Sequence, residues 1–125
     1  MAFLFCNPNP QKNLVGDCVI RAVSLATDTS WEDTYLALSV QGYKMCDMPS
    51  SNAVWGQYLI EQGFTRHLVS ETCTDCTIAN FVDEHRNGTY VLATGTHVVT
   101  AKDGDYMDTW DSGNEYPIYY FTKEA

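Results

Sequence analysis

Apolar positions recur at helical spacing through the first two-thirds of the chain and give way to short β-branched and aromatic runs in the last third. Val19, Ile20, Val23 and Ala26 form one face of a helix predicted over Asp17–Ala26, which "TDTS" then breaks. Ser30 with Asp33 resembles a capping box, Asp replacing the usual Glu or Gln. It opens a second helix with Trp31, Tyr35 and Leu38 on one face and Gly42 as its terminator. Ser50 or Ser51 caps a third, with a stripe of Val54, Trp55, Tyr58 and Leu59 and Gly63 as the left-handed stop. "TRHLV" reads as a strand, and Ile78, Phe81 and Val82 place a fourth helix around Thr77–His85. Residues 1–14, with "CNPNPQKN", read as an irregular lead-in.

From Thr89 the runs "TYVLAT", "THVVTAK", "DYMDTW" and "YPIYYFT" predict four strands. "KDGD" joins the second to the third as a hairpin, because Asp-Gly suits a type I′ turn. Helices first and a strand meander last define an α+β class: N-terminal helices packed on a C-terminal antiparallel β-sheet, in a single domain over 1–125 without repeat or linker.

Charge narrows the partners. Sixteen acids against seven unclustered bases leave a formal charge of −9, which repels phosphate backbones and anionic membrane surfaces. A protein or peptide partner is therefore expected, with no nucleic acid and no membrane; the oligomeric state is not set. No apolar run approaches the ~20 residues that cross a bilayer, and Met1–Phe5 lacks the basic and long apolar regions of a secretory signal. A cytoplasmic location follows as the expectation. The odd set of five cysteines then argues against a disulfide framework. "CTDC" has the spacing of a zinc half-site, and Cys6, Cys46, Cys73 and Cys76 would make four thiolates, but the first two are isolated. Structural thiols are the commoner explanation of Cys73 and Cys76, and no cofactor is expected.

Cys18, in "VGDCVIRAVSLAT", stands apart because it opens a predicted helix. An ordinary thiol has a pKa near ~8.5, and a helix N-terminus or a neighbouring imidazolium lowers it. His97 begins "HVVTAK". With Asp103 and Gly104 as turn residues, Lys102 pairs with Asp105 and His97 falls opposite Trp110, so Asp108 is a same-face diagonal neighbour of His97. Asp111 would point to the other face unless a bulge intervenes, and is the second choice. A Cys18 nucleophile, a His97 base and an Asp108 orienter would form a catalytic set. His67 and His85 are read as a strand and a helix-end residue, Trp31/Tyr35 and Trp55/Tyr58 as core pairs, and Asn52 as a first-turn residue supporting the helix or the site.

The order Cys, His, Asp on an N-terminal helix and a C-terminal sheet resembles the papain-like cysteine peptidase superfamily. "DTW" at 108–110 resembles that family's Asn-Ser-Trp, in which the tryptophan shields the histidine–orienter hydrogen bond. The resemblance implies a minimal papain-like fold and a thiol protease or deamidase, a hydrolase working through a Cys18 thioester. The family's oxyanion glutamine would fall at Lys12, so Asn13, or Gln11 on the other side, is expected to take that role with the Cys18 backbone N–H. "GDCVIRA", "DMPSSNAVWG", "TGTHVV" and "DTWDSGNEYPIYY" are also similar to small bacteriophage and prophage proteins of gut bacteria. That similarity implies the cytoplasm of a bacterial host. It also admits a non-enzymatic reading, a phage factor that binds a host or anti-defence protein on the same scaffold.

Overall fold

A computed structural model describes residues 2–123 of the chain; Met1, at the head of the apolar opening run, lies outside them. Local chemistry sets the helix limits. α1 (Cys18–Thr27) ends at a left-handed Asp28, and α2 (Trp31–Met45) begins at Ser30, whose hydroxyl accepts from Asp33 N at 3.0 Å. α3 (Asn52–Glu61) is followed by Gly63 at φ +97°. α4 (Ile78–Glu84) starts in a reciprocal box: Asn80 N donates to the Thr77 hydroxyl while Thr77 N donates to the Asn80 side chain.

Gly42 does not end α2, contrary to the sequence expectation. The helix runs on to Met45, and Cys46 takes the left-handed position at φ 55°. Gly42 is needed for space: a Cβ there would lie 2.7 Å from the Asp47 carbonyl oxygen and 3.1 Å from Pro49 N, so the chain leaving α2 folds back over it.

The strands are β1 (Ala2–Phe5), β2 (Thr65–Leu68), β3 (Thr89–Ala93), β4 (Val98–Lys102), β5 (Asp105–Asp108) and β6 (Tyr119–Lys123). They form one sheet in the order β1-β5-β4-β3-β6-β2. The class is α+β, with four helices preceding a C-terminal antiparallel meander. The sheet differs from the expected one at its edges. β2 joins β6 from between the helices, and β1 pairs parallel with β5, from Ala2↔Asp105 to Phe5↔Asp108. The lead-in is thus irregular only after Phe5; Phe3 packs its ring 5.7 Å from that of Tyr106.

Period-two alternation along the strands builds two cores. Val91, Ala93, Val98 and Phe121 face α1 and α3, joining Val23, Leu38, Trp55 and Leu59. Leu92, Val99, Ala101 and Tyr120 face α4, joining Ile78, Phe81 and Val82. Most of these side chains are completely buried, and each such Val, Leu or Phe contributes about 1.5–3 kcal/mol of transfer free energy. The sandwich fixes α1 against β4: the Thr100 hydroxyl donates to the Ala22 carbonyl at 2.6 Å. The β4–β5 hairpin turns at Asp103 (φ 49°) and Gly104 (φ 93°), with Lys102 paired to Asp105. The beginning of α1, the beginning of β4 and the end of β5 therefore meet at one rim of the sheet.

Candidate active site

Three side chains converge on that rim. His97 donates from Nε2 to Asp108 Oδ2 at 2.5 Å, which leaves Nδ1 for Cys18. The Cys18 thiol is half-buried, and His97 and the backbone of Val98 lie close enough to stabilise its charged form. Burial alone would push this thiol up. The hydrogen bonds to His97 and Val98 and the charges of His97 and Arg21 outweigh burial and hold it below the ordinary thiol range. Burial likewise opposes protonation of His97, but its bonds to Asp108 and Cys18 prevail and raise it to about 9. The thiol is thus biased toward thiolate and the imidazole toward imidazolium, and the titrations belong to the pair rather than to either residue.

Asp108 is nearly inaccessible, and burial raises it. Its bonds to His97 and Arg21 and from the Thr109 N–H, at 2.7 Å, bring it net below the usual carboxylate range. The Ser112 hydroxyl closes the set at 3.5 Å. Trp110 packs beside His97 with ring centroids 4.8 Å apart and planes tilted by 41°, and remains half exposed itself.

Sequence reasoning missed the cation under this site. Arg21 donates from Nη1 to Asp108 Oδ1 at 2.7 Å and from Nε to Asp17 Oδ1 at 2.9 Å, and all three side chains are buried. Asp17 Oδ2 also accepts from Trp31 Nε1 at 2.9 Å and from Asn9 Nδ2 at 3.4 Å. The Asp17/Arg21 spacing of four on a predicted helix was a readable signal; the reach to Asp108, 87 residues away, was not. Asn9 orders the asparagine-rich loop in turn, accepting from Gln11 N while its own N–H reaches the Asn7 side chain.

The remaining candidates lie apart from His97. Asp111 accepts from the Tyr106 hydroxyl at 2.6 Å and from Gly113 N at 2.9 Å, so it serves the loop after β5 rather than the imidazole. The Asn13 and Gln11 side chains are exposed and make no hydrogen bond to the pair among the described residues; Asn13 lines a groove of about 240 Å³ with Asp17, Arg21, Thr109 and Trp110. Asn52 accepts from the Trp55 indole at 3.0 Å. His67 stacks on Tyr120, and His85 stacks on Phe81 at 3.8 Å.

The four-thiolate zinc set does not assemble. Cys73 and Cys76 form a disulfide with Glu84 beside it, whereas Cys6 and Cys46 are free thiols after β1 and at the end of α2. No helix among the described residues is long and apolar enough to cross a membrane. Comparison with protein-family models, with curated proteins and with solved structures finds no match for the chain.

Proposed function

We propose that the protein is a small papain-like cysteine hydrolase, a peptidase or deamidase acting on a protein or peptide amide through a Cys18 thioester. The observation that carries this reading is the single imidazole, His97, which bonds buried Asp108 through Nε2 and lies close enough to the Cys18 thiol for each to shift the other's titration. The Cys18 sulfur attacks the amide carbonyl, and the carbon–sulfur bond forms as the oxygen takes up negative charge. His97 gives its Nδ1 proton to the departing nitrogen as the carbon–nitrogen bond breaks. Water then attacks the thioester while His97 accepts its proton, releasing acid and thiol. Asp108 keeps the ring oriented and its positive form stabilised. The Cys18 backbone N–H, with Asn13 from the adjoining loop, is the proposed oxyanion pocket.

The test is iodoacetamide alkylation read at Cys18 by mass spectrometry across pH. The expected profile has its first rise below the ordinary thiol range and a second step near the His97 value of about 9. His97→Ala should restore a single ordinary titration. A wild-type profile already ordinary, and unchanged by His97→Ala, would remove the basis of the reading.

A second reading, a non-enzymatic phage factor that binds a host protein, is favoured by the outer face of α2. Tyr35, Leu36, Val40 and Tyr43 are all exposed there, more apolar surface than a solvated helix needs. Retention of a partner by Cys18→Ala with no processed product favours this reading. Loss of a cleaved or deamidated product in that variant favours the hydrolase.

A further inference from the structure

A second groove, of about 430 Å³, lies between α3 and the β6–β2 edge of the sheet. Arg66 is its cation. Its guanidinium lies 4.3 Å over the Tyr119 ring, a contact that holds the cation in the groove. Arg66 makes no salt bridge with a described carboxylate, although acids outnumber bases by sixteen to seven. Nor does any acid line the groove; Glu61 is held by Gln57 Nε2 at 3.1 Å. At the groove's upper end, Asn52 spends its carbonyl oxygen on Trp55 and keeps its amide hydrogens free. The Ser51 hydroxyl is turned away to Asp47, so the first N–H groups of α3 at Asn52 and Ala53 have no side-chain cap. The Arg66 guanidinium, the Asn52 amide and the first N–H groups of α3 are donors, and the lining carries no carboxylate, its acceptors being the neutral Gln57 amide and Tyr119 hydroxyl.

The sheet register places this groove relative to the thiol. Ala93 pairs with Val98 on one side and with Tyr119 on the other, and Val98 is the residue whose backbone meets Cys18. Two strand spacings separate Val98 from Tyr119, roughly 10 Å, which an extended peptide spans in about three residues. Arg66 pairs with Phe121 and so shares the face of β6 that carries Tyr119.

We propose that this groove is a carboxylate subsite, in which Arg66 receives an acidic side chain or the free C-terminal carboxylate of the substrate about three residues from the bond attacked by Cys18. The inference rests on the hydrolase reading above for its substrate. Its test does not, because any thiol at Cys18 reports docking. Iodoacetyl-Ala-Ala-Glu-amide, its Gln twin, and iodoacetyl-Ala-Ala-Ala as the free acid and as the amide probe one chain direction; acetyl-Glu-Ala-Ala chloromethyl ketone and its Gln twin probe the other. The expected result is that one acidic probe alkylates Cys18 about tenfold faster than its neutral twin, and that Arg66→Gln removes the difference while the rate with iodoacetamide stays unchanged. Which probe responds tells side chain from chain terminus. Arg66 is exposed, so the variant should keep the wild-type circular dichroism spectrum. Equal rates within every pair, or a preference that survives in Arg66→Gln, would overturn the subsite. Failure of the hydrolase reading is seen separately, in the pH profile with iodoacetamide.

Discussion

Replacing Arg21 by Met should be the most damaging single change beneath the site. Methionine keeps the apolar stem but removes the guanidinium shared by Asp17 and Asp108. The side chains of Arg21, Asp17 and Asp108 are 9%, 7% and 1% exposed, so solvent cannot screen the loss. Breaking a buried ion pair by removing one partner costs about 3–5 kcal/mol. With about 2.1 cal/mol/K of unfolding entropy per residue over 125 residues, this lowers the melting temperature by roughly 11–19 °C. The pH dependence follows from Asp108. Its folded value is depressed, so its contribution is present above the unfolded carboxylate value of about 3.9 and is lost as pH falls through the folded value. Arg21→Met removes part of that depression, and the deficit against wild type should be largest near pH 7 and shrink toward pH 4. Urea denaturation at both pH values measures it. Arg21→Lys, which keeps charge but not the two-carboxylate fork, should recover only part of the stability. Since Arg21 also helps lower the Cys18 thiol, the first step of Cys18 alkylation should move to higher pH in Arg21→Met. A loss under about 1 kcal/mol at pH 7, or a deficit that grows on acidification, would refute the assignment of Arg21 as the buried counter-ion.

Three further outcomes follow from the same geometry. Wild-type stability should fall with rising pH less steeply than His97 alone would make it. The raised His97 contributes stability that is complete below about 6.5 and lost through about 9, while the lowered Cys18 contributes with the opposite sign and offsets part of that loss. Cys18→Ala unbalances this, and its stability should fall with rising pH by up to about 1.4 kcal/mol per unit, measured by urea titration. Asp108→Asn should bring the His97 titration, followed by imidazole NMR, well below 9 and slow Cys18 alkylation at pH 7, where an unchanged imidazole would contradict the orienter role. Gly42→Ala should cost about 1–3 kcal/mol in thermal denaturation, since its methyl group meets the Asp47 carbonyl, and a neutral effect would mean that the loop after α2 yields freely.

What could be read from the chain was local. The α1 and α3 faces, the Ser30 and Thr77 starts and the Asp103-Gly104 hairpin each depend on residues within a few positions of one another. The hairpin count separated Asp108 from Asp111, because register fixes which residues share a face. What escaped was set by distant contacts. Gly42 looks like a terminator until Asp47 and Pro49 are folded over it. Phe3 and Leu4 look like a lead-in until β5 supplies a parallel partner more than a hundred residues away. Arg21 looks like one polar residue on an apolar helix face, and only the end of β5 shows why it is buried.

Asp17 poses the last physical question, since a carboxylate next to Cys18 in the chain should oppose a thiolate. The arrangement resolves it by alternation. Asp17 bonds Arg21, Arg21 bonds Asp108 and Asp108 bonds His97, so signs alternate along the series and the group that faces Cys18 is the imidazole, whose charge favours the thiol's anionic form. Asp17 is further held by the Trp31 indole and the Asn9 amide, which spread its charge away from the sulfur. The helix N-terminus that first marked Cys18 is therefore only part of the cause. Its position brings the sulfur to the rim, but the hydrogen bonds and charges that lower the thiol come from β4 and from Arg21 one turn along α1. An aspartate before the cysteine and an arginine three residues after it thus belong to one device, in which the cation that satisfies Asp17 also anchors the carboxylate that holds His97 in place.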